Sequence, residues 1–375
     1  MRKVAKAVVC LLLLGLAAAL MGATPADRRG YVGGRFALEL DGVVVGWLFS
    51  ADGGYATSEV VTEWFGPGMA KKHLAGVKYE DITITAGAGM SKAFYDWISS
   101  TLAGSYPRKN GAIIAVSFDS KETSRLEFSN ALITEIGMPA LDAASKDAAK
   151  MTIKFTPERT RLRKSAGERV KLPGDFSKQK TWLPSNFRLR IDGLEQATSR
   201  VNKIEAITIK QKVIENAVGF ARDYEKEPAS VEIPNLVITF PESHADSFYD
   251  WHQDFVISGN NGEGKEKSGT LEYLSPDLKE VLFRLEFHNL GIFKLAPDKV
   301  ESGAEQIRRV KAEMYCEDMS FSVGSAMIKS APQQVPAPPA TEQDPEPKPK
   351  SKPKPKPQPE PELPANTARI GATAL

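Results

Sequence analysis

The chain has 375 residues, 42% hydrophobic and 26% charged, enough for about two domains at roughly 100–200 residues each. Its net charge is +2, and that excess is terminal: Arg2, Lys3 and Lys6 precede any acid, the segment from 331 adds one positive charge, and residues 24–330 carry −2. A near-neutral body argues against a dedicated nucleic-acid binder, which shows a basic stripe, and two cysteines (Cys10 and Cys316) with four histidines leave no CxxC or Cys/His metal cluster.

Met1–Lys6 is a short basic segment, Ala7–Leu20 an apolar run, and small residues follow at Gly22, Ala23, Thr24 and Ala26. This three-part pattern predicts a signal peptide over 1–26, cleaved near Ala23 or Ala26. The uncharged stretch is about 20 residues, long enough to remain as an uncleaved membrane anchor instead. Either way the chain is expected to be exported through a Sec-type route to the periplasm, cell surface or medium. After cleavage Cys316 is the only thiol, so no internal disulfide staples the fold. Cys316 itself reads as a half-buried strand residue.

The body contains an internal repeat. Phe36–Gly42 (FALELDG) matches Phe187–Gly193 (FRLRIDG), and Val77–Ile84 matches Val231–Ile238. Phe94-Tyr-Asp96-Trp97 recurs as Phe248-Tyr-Asp250-Trp251, and Arg125-Leu-Glu-Phe128-Ser-Asn130 as Arg284-Leu-Glu-Phe287-His-Asn289. Phe155 and Glu158 fall opposite Met314 and Glu317. The offset between copies grows from 151 through 154 to 159 and never shrinks, as small insertions in the second copy require. Two domains are therefore expected, at 30–162 and 185–325. The basic, Pro- and Gly-broken stretch 163–184 reads as a linker.

Each copy has the same predicted plan. Phe36–Leu40 alternates and runs into an Asp-Gly turn, and Gly42–Phe49 and Ile82–Thr85 read as further strands. A helix is predicted over 90–103, with Phe94, Trp97, Ile98 and Leu102 on one face, and its counterpart over 244–257 carries Phe248, Trp251 and Phe255. Ser243 followed by Asp246 reads as an acidic variant of a capping box. Strands resume at 112–118, 125–134 and 150–155, and at 269–274, 281–290 and 307–315. Many short strands with one greasy-striped helix per copy predict a mainly β fold, two tandem β-barrel or β-sandwich domains each with one packed helix.

Candidate chemistry is sparse. Gly87-Ala-Gly89-Met-Ser-Lys92 lies where a phosphate-cradling loop would be, but it lacks the third glycine and Lys92 is misplaced for a P-loop. It reads as a turn into the helix. Asp96 and Asp250 read as solvated or strand-capping carboxylates. His244 and His252 share a helix eight residues apart, about 12 Å, too far for one metal without other ligands. No metal, cofactor or catalytic set is assigned, and the chain is read as no enzyme. Phe128 and Phe287 are expected in the core, with Asn130 and Asn289 where the strand ends or bulges.

From Ala331 to Ala365 over a third of the residues are proline, alternating with Lys, Glu and Gln. Such a segment cannot form a core. The tail 331–375 reads as a disordered spacer, which as polyproline II over 331–365 reaches on the order of 100 Å.

The ordered blocks resemble the T-even-type phage tail tube protein family: the Phe-x-Leu-x-Leu-Asp-Gly strand at Phe36–Gly42, a long exposed segment, the strand at Val77–Ile84, the aromatic-Asp-Trp helix at Phe94–Trp97, the Leu-x-Phe-x-Asn strand at Leu126–Asn130 and a final strand at Lys150–Glu158. The first copy matches better and keeps Gly66-Pro67-Gly68 before its second block. The resemblance implies a small barrel or sandwich with a flanking helix. It further implies hexameric rings that stack into a tube, as in the related inner-tube proteins of contractile injection and type VI secretion systems. Two fused copies would then build a pseudo-hexameric ring from three chains. Segments 51–76 and 206–230 would be ring-to-ring contacts, with Trp64 and Phe65 either anchoring an interface or forming a local minicore. The partner is accordingly another copy of the chain or an unidentified protein. The alternative is a monomeric exported binding module that presents this fold to a protein or glycan.

Overall fold

The computed structural model describes residues 34–165, 167–170, 182–217, 224–298 and 307–324. The expected signal peptide, most of the expected linker and the proline-rich tail lie outside the described residues.

The first set of strands is β1 (Arg35–Leu40), β2 (Val43–Gly53), β3 (Ala56–Trp64), β4 (Ala70–Tyr79), β5 (Ile82–Ala86), β6 (Lys109–Val116), β7 (Glu122–Met138), β8 (Leu141–Asp142), β9 (Met151–Thr156) and β10 (Arg159–Lys164), with helix α1 (Lys92–Leu102) between β5 and β6. Asp41 and Gly42 both take positive φ, 48° and 82°, so Leu40 and Val43 face each other across a tight hairpin. That is the turn an Asp-Gly pair favours. From there the antiparallel order is β1–β2–β5–β9–β7–β6 and back to β1, a closed six-stranded barrel. Closure leaves these strands without an edge along most of their length.

The second set is β11 (Phe187–Ile191), α2 (Glu195–Thr198), β12 (Lys203–Ile204), β13 (Ile207–Ala217), β14 (Tyr224–Glu232), β15 (Leu236–Pro241), α3 (Asp246–His252), β16 (Lys267–Leu274), β17 (Val281–Pro297) and β18 (Arg309–Val323). Its pairing order, β11–β16–β17–β18–β15–β12, follows the first barrel strand for strand. It differs at one place. After Asp192-Gly193 the sequence continues Leu-Glu-Gln-Ala-Thr where the first set has Val-Val-Val. Straight-chain residues and alanine favour a helical turn over a β-branched strand. Hence α2 forms, only Lys203–Ile204 takes the place of β2, and among the described residues no ladder joins β11 to β12.

The two sets share sheets. β13 pairs with β7, Ile207 opposite Met138 and Lys210 opposite Glu135, and β8 pairs with β12. Nine strands form one sheet and seven another, while β3–β4 stand as a two-stranded ribbon.

Helices α1 and α3 sit as their apolar stripes require. Phe94, Trp97 and Ile98 are buried, and Trp97 and Phe128 each pack on Phe155, at 5.4 and 5.0 Å between ring centres. Trp97 also donates Nε1–H to the carbonyl of Pro107 at 2.9 Å. Tyr95, on another flank of the helix, meets Phe283 and Phe321 of the second set, and Ser99 Oγ donates to the Phe321 carbonyl. In the second helix Phe248 packs on Phe240, and Trp251 on Phe255.

Several expectations are revised. The helix predicted over 244–257 is three pieces: a 3-10 turn at Glu242–His244, α3, and a π-helical turn at Gln253–Ile257. Ser243 does not cap it; Ala245 holds that position with no side-chain hydrogen bond. The segments read as long and exposed are hairpins, β3–β4 and β13–β14. Strands β7 and β17 run on to 138 and 297, so Asn130 and Asn289 do not end them; of the two alternatives, end or bulge, each stands at a bulge, between the Gly111–Phe128 and Lys109–Ala131 pairs and between the Gly269–Phe287 and Lys267–Leu290 pairs.

Asp96 is on the outer face of α1, paired with Lys92 one turn earlier at 2.6 Å. Replacing Trp97 by Ala is expected to cost about 3–5 kcal/mol, and replacing Asp96 by Ala no more than about 0.5 kcal/mol. Urea unfolding of the two variants checks this; comparable losses would mean that the repeated Asp-Trp pair is not divided into core and surface.

Candidate assembly surface

Hairpins β3–β4 and β13–β14 leave their barrels in the same way. Each extends the ladder of the pair it springs from, β2–β5 and β12–β15. Each carries a bulge at the same register, where Ser58–Val60 oppose Val77–Leu74 and Gln211–Val213 oppose Val231–Pro228. Counting from the bulge, Lys72 corresponds to Lys226 and Thr62 to Glu215.

Hairpin β13–β14 is held by a charged seat on the first barrel. Lys226, only 4% exposed, donates Nζ–H to Thr156 Oγ1 and pairs with Glu215 on the facing strand at 3.2 Å. Its backbone N–H donates to Glu158 Oε1 at 3.0 Å, and Arg108 donates to its carbonyl at 2.7 Å. Asn130 Nδ2 donates to the other Glu158 oxygen at 2.7 Å. A buried ammonium is tolerable because carboxylate and hydroxyl partners surround it.

Asn130 takes φ 51° and Asn289 φ 54°. Asparagine tolerates this left-handed conformation better than most residues, and a side-chain hydrogen bond secures it. Asn289 Nδ2 donates to Glu317 at 3.0 Å, as Asn130 does to Glu158. The bend lets one long strand serve two partners in succession on each side: β7 meets β10 before Asn130 and β6 as far as Ala131, then β9 from Leu132 and β13 from Glu135.

Hairpin β3–β4 has no such seat among the described residues. Its turn runs through Gly66-Pro67-Gly68, with Phe65 N–H donating to Met69 O at 3.0 Å. Trp64 ends β3 and Phe65 opens the turn; they are 70% and 63% exposed, so the pair does not make a local minicore. Met69 is exposed in the same turn, Val60 and Leu74 face each other exposed at the bulge, and His73 lies 3.7 Å from Glu63. The ribbon thus carries an exposed apolar tip.

The remaining candidates are structural. Phe94, Trp97, Phe128, Phe248, Trp251 and Phe287 are all core, and Asp96 and Asp250 are exposed. Gly87–Lys92 packs inward: Ala88 and Met90 are buried, Tyr95 Oη donates to Ala88 O, and Ser91 N–H donates to Val45 O. Cys316 is buried in β18, and burial pushes its thiol up to about 11. Burial and a hydrogen bond to Glu266 push the Tyr315 hydroxyl up to about 12. Among the described residues no group of three or more His, Cys, Asp or Glu could hold a metal ion, and no helix is long and apolar enough to cross a membrane. Lys226 and its seat were missed from sequence. The only trace was Glu158 standing opposite Glu317, and a lysine in a polar hairpin carries no mark of burial.

The first set is thus a closed antiparallel barrel with one flanking helix and one long protruding hairpin. Residues 34–161 match the family model described as T4-like virus tail tube protein gp19. The resemblance to tail tube proteins therefore holds for the first set of elements, and the match ends within β10. Among solved structures the chain is similar to the tube-terminating cap of the anti-feeding prophage, with 21% identity over 39% of this chain and 99% of that one, TM-score 0.35. It is similar to a chain of the PVC extracellular contractile injection system sheath-tube complex, with 21% identity over 38% and 95%, TM-score 0.32. Hcp1 from Flavobacterium johnsoniae shares 14% identity over 37% and 95%, TM-score 0.23. No curated protein matches the chain.

Three variants test the seat. Asn130→Ala should be less stable than Asn130→Gly by about 1 kcal/mol, since both lose the amide but only glycine accepts the left-handed backbone freely. Chemical unfolding measures the difference, and equal losses would show the φ to be immaterial. Lys226→Ala should weaken the hold on β14 by ~1.5–3 kcal/mol, the worth of a hydrogen bond to a charged group. Hydrogen exchange should then quicken in β14 while β1 and β2 stay protected.

Proposed function

We propose that the chain is a non-enzymatic structural subunit made of two tail-tube-like units in tandem, exported from the cytoplasm, and that it works by assembling with copies of itself. Three chains would supply six units for a pseudo-hexameric ring. The observation that carries this reading is the junction inside the chain: a hairpin of the second unit lies on a strand of the first, with four residues in register and a buried lysine locking them. A contact of this kind is heterologous, one surface against a different one, and repetition of it closes a ring when the rotation allows. The family match over 34–161 supports the same direction. Export rests on the leader pattern at 1–26, and the proline-rich tail would act as a spacer outside the ring.

Light scattering coupled to size exclusion, with negative-stain imaging of the purified chain over a wide concentration range, tests the reading. The expected outcome is a three-chain ring or stacks of such rings. Compact monomers at every concentration would overturn it and favour the fold as an exported binding module.

A further inference from the structure

The junction inside the chain has two contacts. Hairpin β13–β14 of the second unit rests on β7 of the first, and helix α1 of the first rests on β18 of the second through Tyr95 and Phe321. Each contacting element has a counterpart in the other unit, and those counterparts are uncovered. Tyr95 is 1% exposed, whereas its equivalent Tyr249 on α3 is 40% exposed. Phe321 is 3% exposed, whereas its equivalent Leu162 on β10 is 63% exposed. Lys226 is buried and Lys72 exposed; Glu158 is half-buried and Glu317 exposed.

The strand edge shows the same contrast. β7 beyond Ala131 is taken by β13, at Glu135–Met138. The corresponding stretch of β17 is Lys294–Pro297, past the same bulge, at Ile292–Lys294 here and Ile133–Glu135 there. On the side where β16 ends at the Lys267–Leu290 pair, no described strand continues along β17. An open edge of this sort is a template for a strand from another chain.

We infer that a second copy of this chain docks on the second unit, its hairpin β3–β4 lying along β17 at Lys294–Pro297 with Lys72 at Glu317 and Glu266, while Tyr249 of the first copy packs on Leu162 of the second. Both contacts join the same two units, the second of one chain and the first of the next, just as both internal contacts join the first and second. That consistency is a constraint that unrelated exposed residues would have no reason to meet. This inference rests on the self-assembly reading above and specifies its chain-to-chain contact.

The seat suits a lysine. Glu317 Oε2 is held by Asn289, and Oε1 has no hydrogen-bond partner among the described residues. At the place of Arg108 the second unit has Glu266, whose Oε1 accepts from Tyr315 Oη at 2.6 Å and whose Oε2 is enclosed without a partner. An enclosed carboxylate oxygen left without a donor is costly, and a neighbouring ammonium would relieve it.

Charge reversal tests the contact on the full chain. Lys72→Glu and Glu317→Lys, made singly, should each weaken association by about tenfold or more, and the two together in one chain should restore it, as expected for a charge pair across an interface. Unfolding curves establish that the variants fold. Zero-length carbodiimide coupling of the unaltered protein, followed by peptide mass mapping of the oligomer fraction, should join Lys72 to Glu317 or Glu266. If the chain assembles but the double variant is not restored and Lys72 is coupled to neither glutamate, the contact is wrong while self-assembly stands. If the unaltered chain stays monomeric at every concentration, both fall.

Discussion

Backbone groups at a sheet edge must find partners, and this constraint organises the molecule. The first barrel meets it by closure, six antiparallel strands returning to β1. The exception is the far part of β7, which outruns β6, and β13 fills that gap. The second unit closes less completely, because a helical turn replaces most of the strand that would seal it. Its short β12 is flanked instead by β8 from the first unit. Each unit thus supplies a strand that the other lacks, and the pair share their ladders rather than merely touching.

The recurrent asparagines make this sharing possible. A straight 17-residue strand would diverge from one set of neighbours as it followed another, because twisted sheets rotate each strand against the next. A left-handed residue in mid-strand redirects β7 and β17 at the same point, and the carboxylate of Glu158 or Glu317 holds each asparagine there. In the first unit that carboxylate also receives the backbone of β14. The bend and the docking of the hairpin therefore meet at one side chain, so the strand's shape and its partner are fixed together.

Much of the fold was legible because buried faces impose periodicity. Phe36–Leu40, the Phe94–Trp97 helix and the Leu-x-Phe strands all carry an inward stripe, and the mainly β fold with one main helix per copy followed from them. The hairpins did not. Ala56–Trp64 and Ala70–Tyr79 are exposed on most positions, so no alternation distinguishes strand from loop. Burial of Lys226 was hidden for a different reason. It depends on Thr156, Glu158 and Arg108, which lie far away in sequence, and a lysine among glutamates reads as a solvated face until those partners are brought to it. The break at α2 was signalled by Leu-Glu-Gln-Ala-Thr after the second Asp-Gly, but the matching strand in the other copy concealed it.

The differences between the two seats bear on how a fused pair keeps its order. The first seat sets Arg108 beside Glu158, and the hairpin it receives brings Lys226 with Glu215, so both sides are close to neutral. The second seat sets Glu266 beside Glu317. The hairpin assigned to it has Lys72 facing Thr62, whereas Lys71 faces Glu63, so of the two only Lys72 has no carboxylate opposite it. On the inferred contact an acidic seat would meet an unopposed lysine, while within the chain a neutral seat meets a neutral hairpin. Exchanging them would put Glu215 against two carboxylates, a like-charge contact of the sort that excludes wrong partners. On the inferred contact, the differences at Arg108 and Glu266, and at Thr62 and Glu215, would assign one hairpin to its own chain and the other to its neighbour.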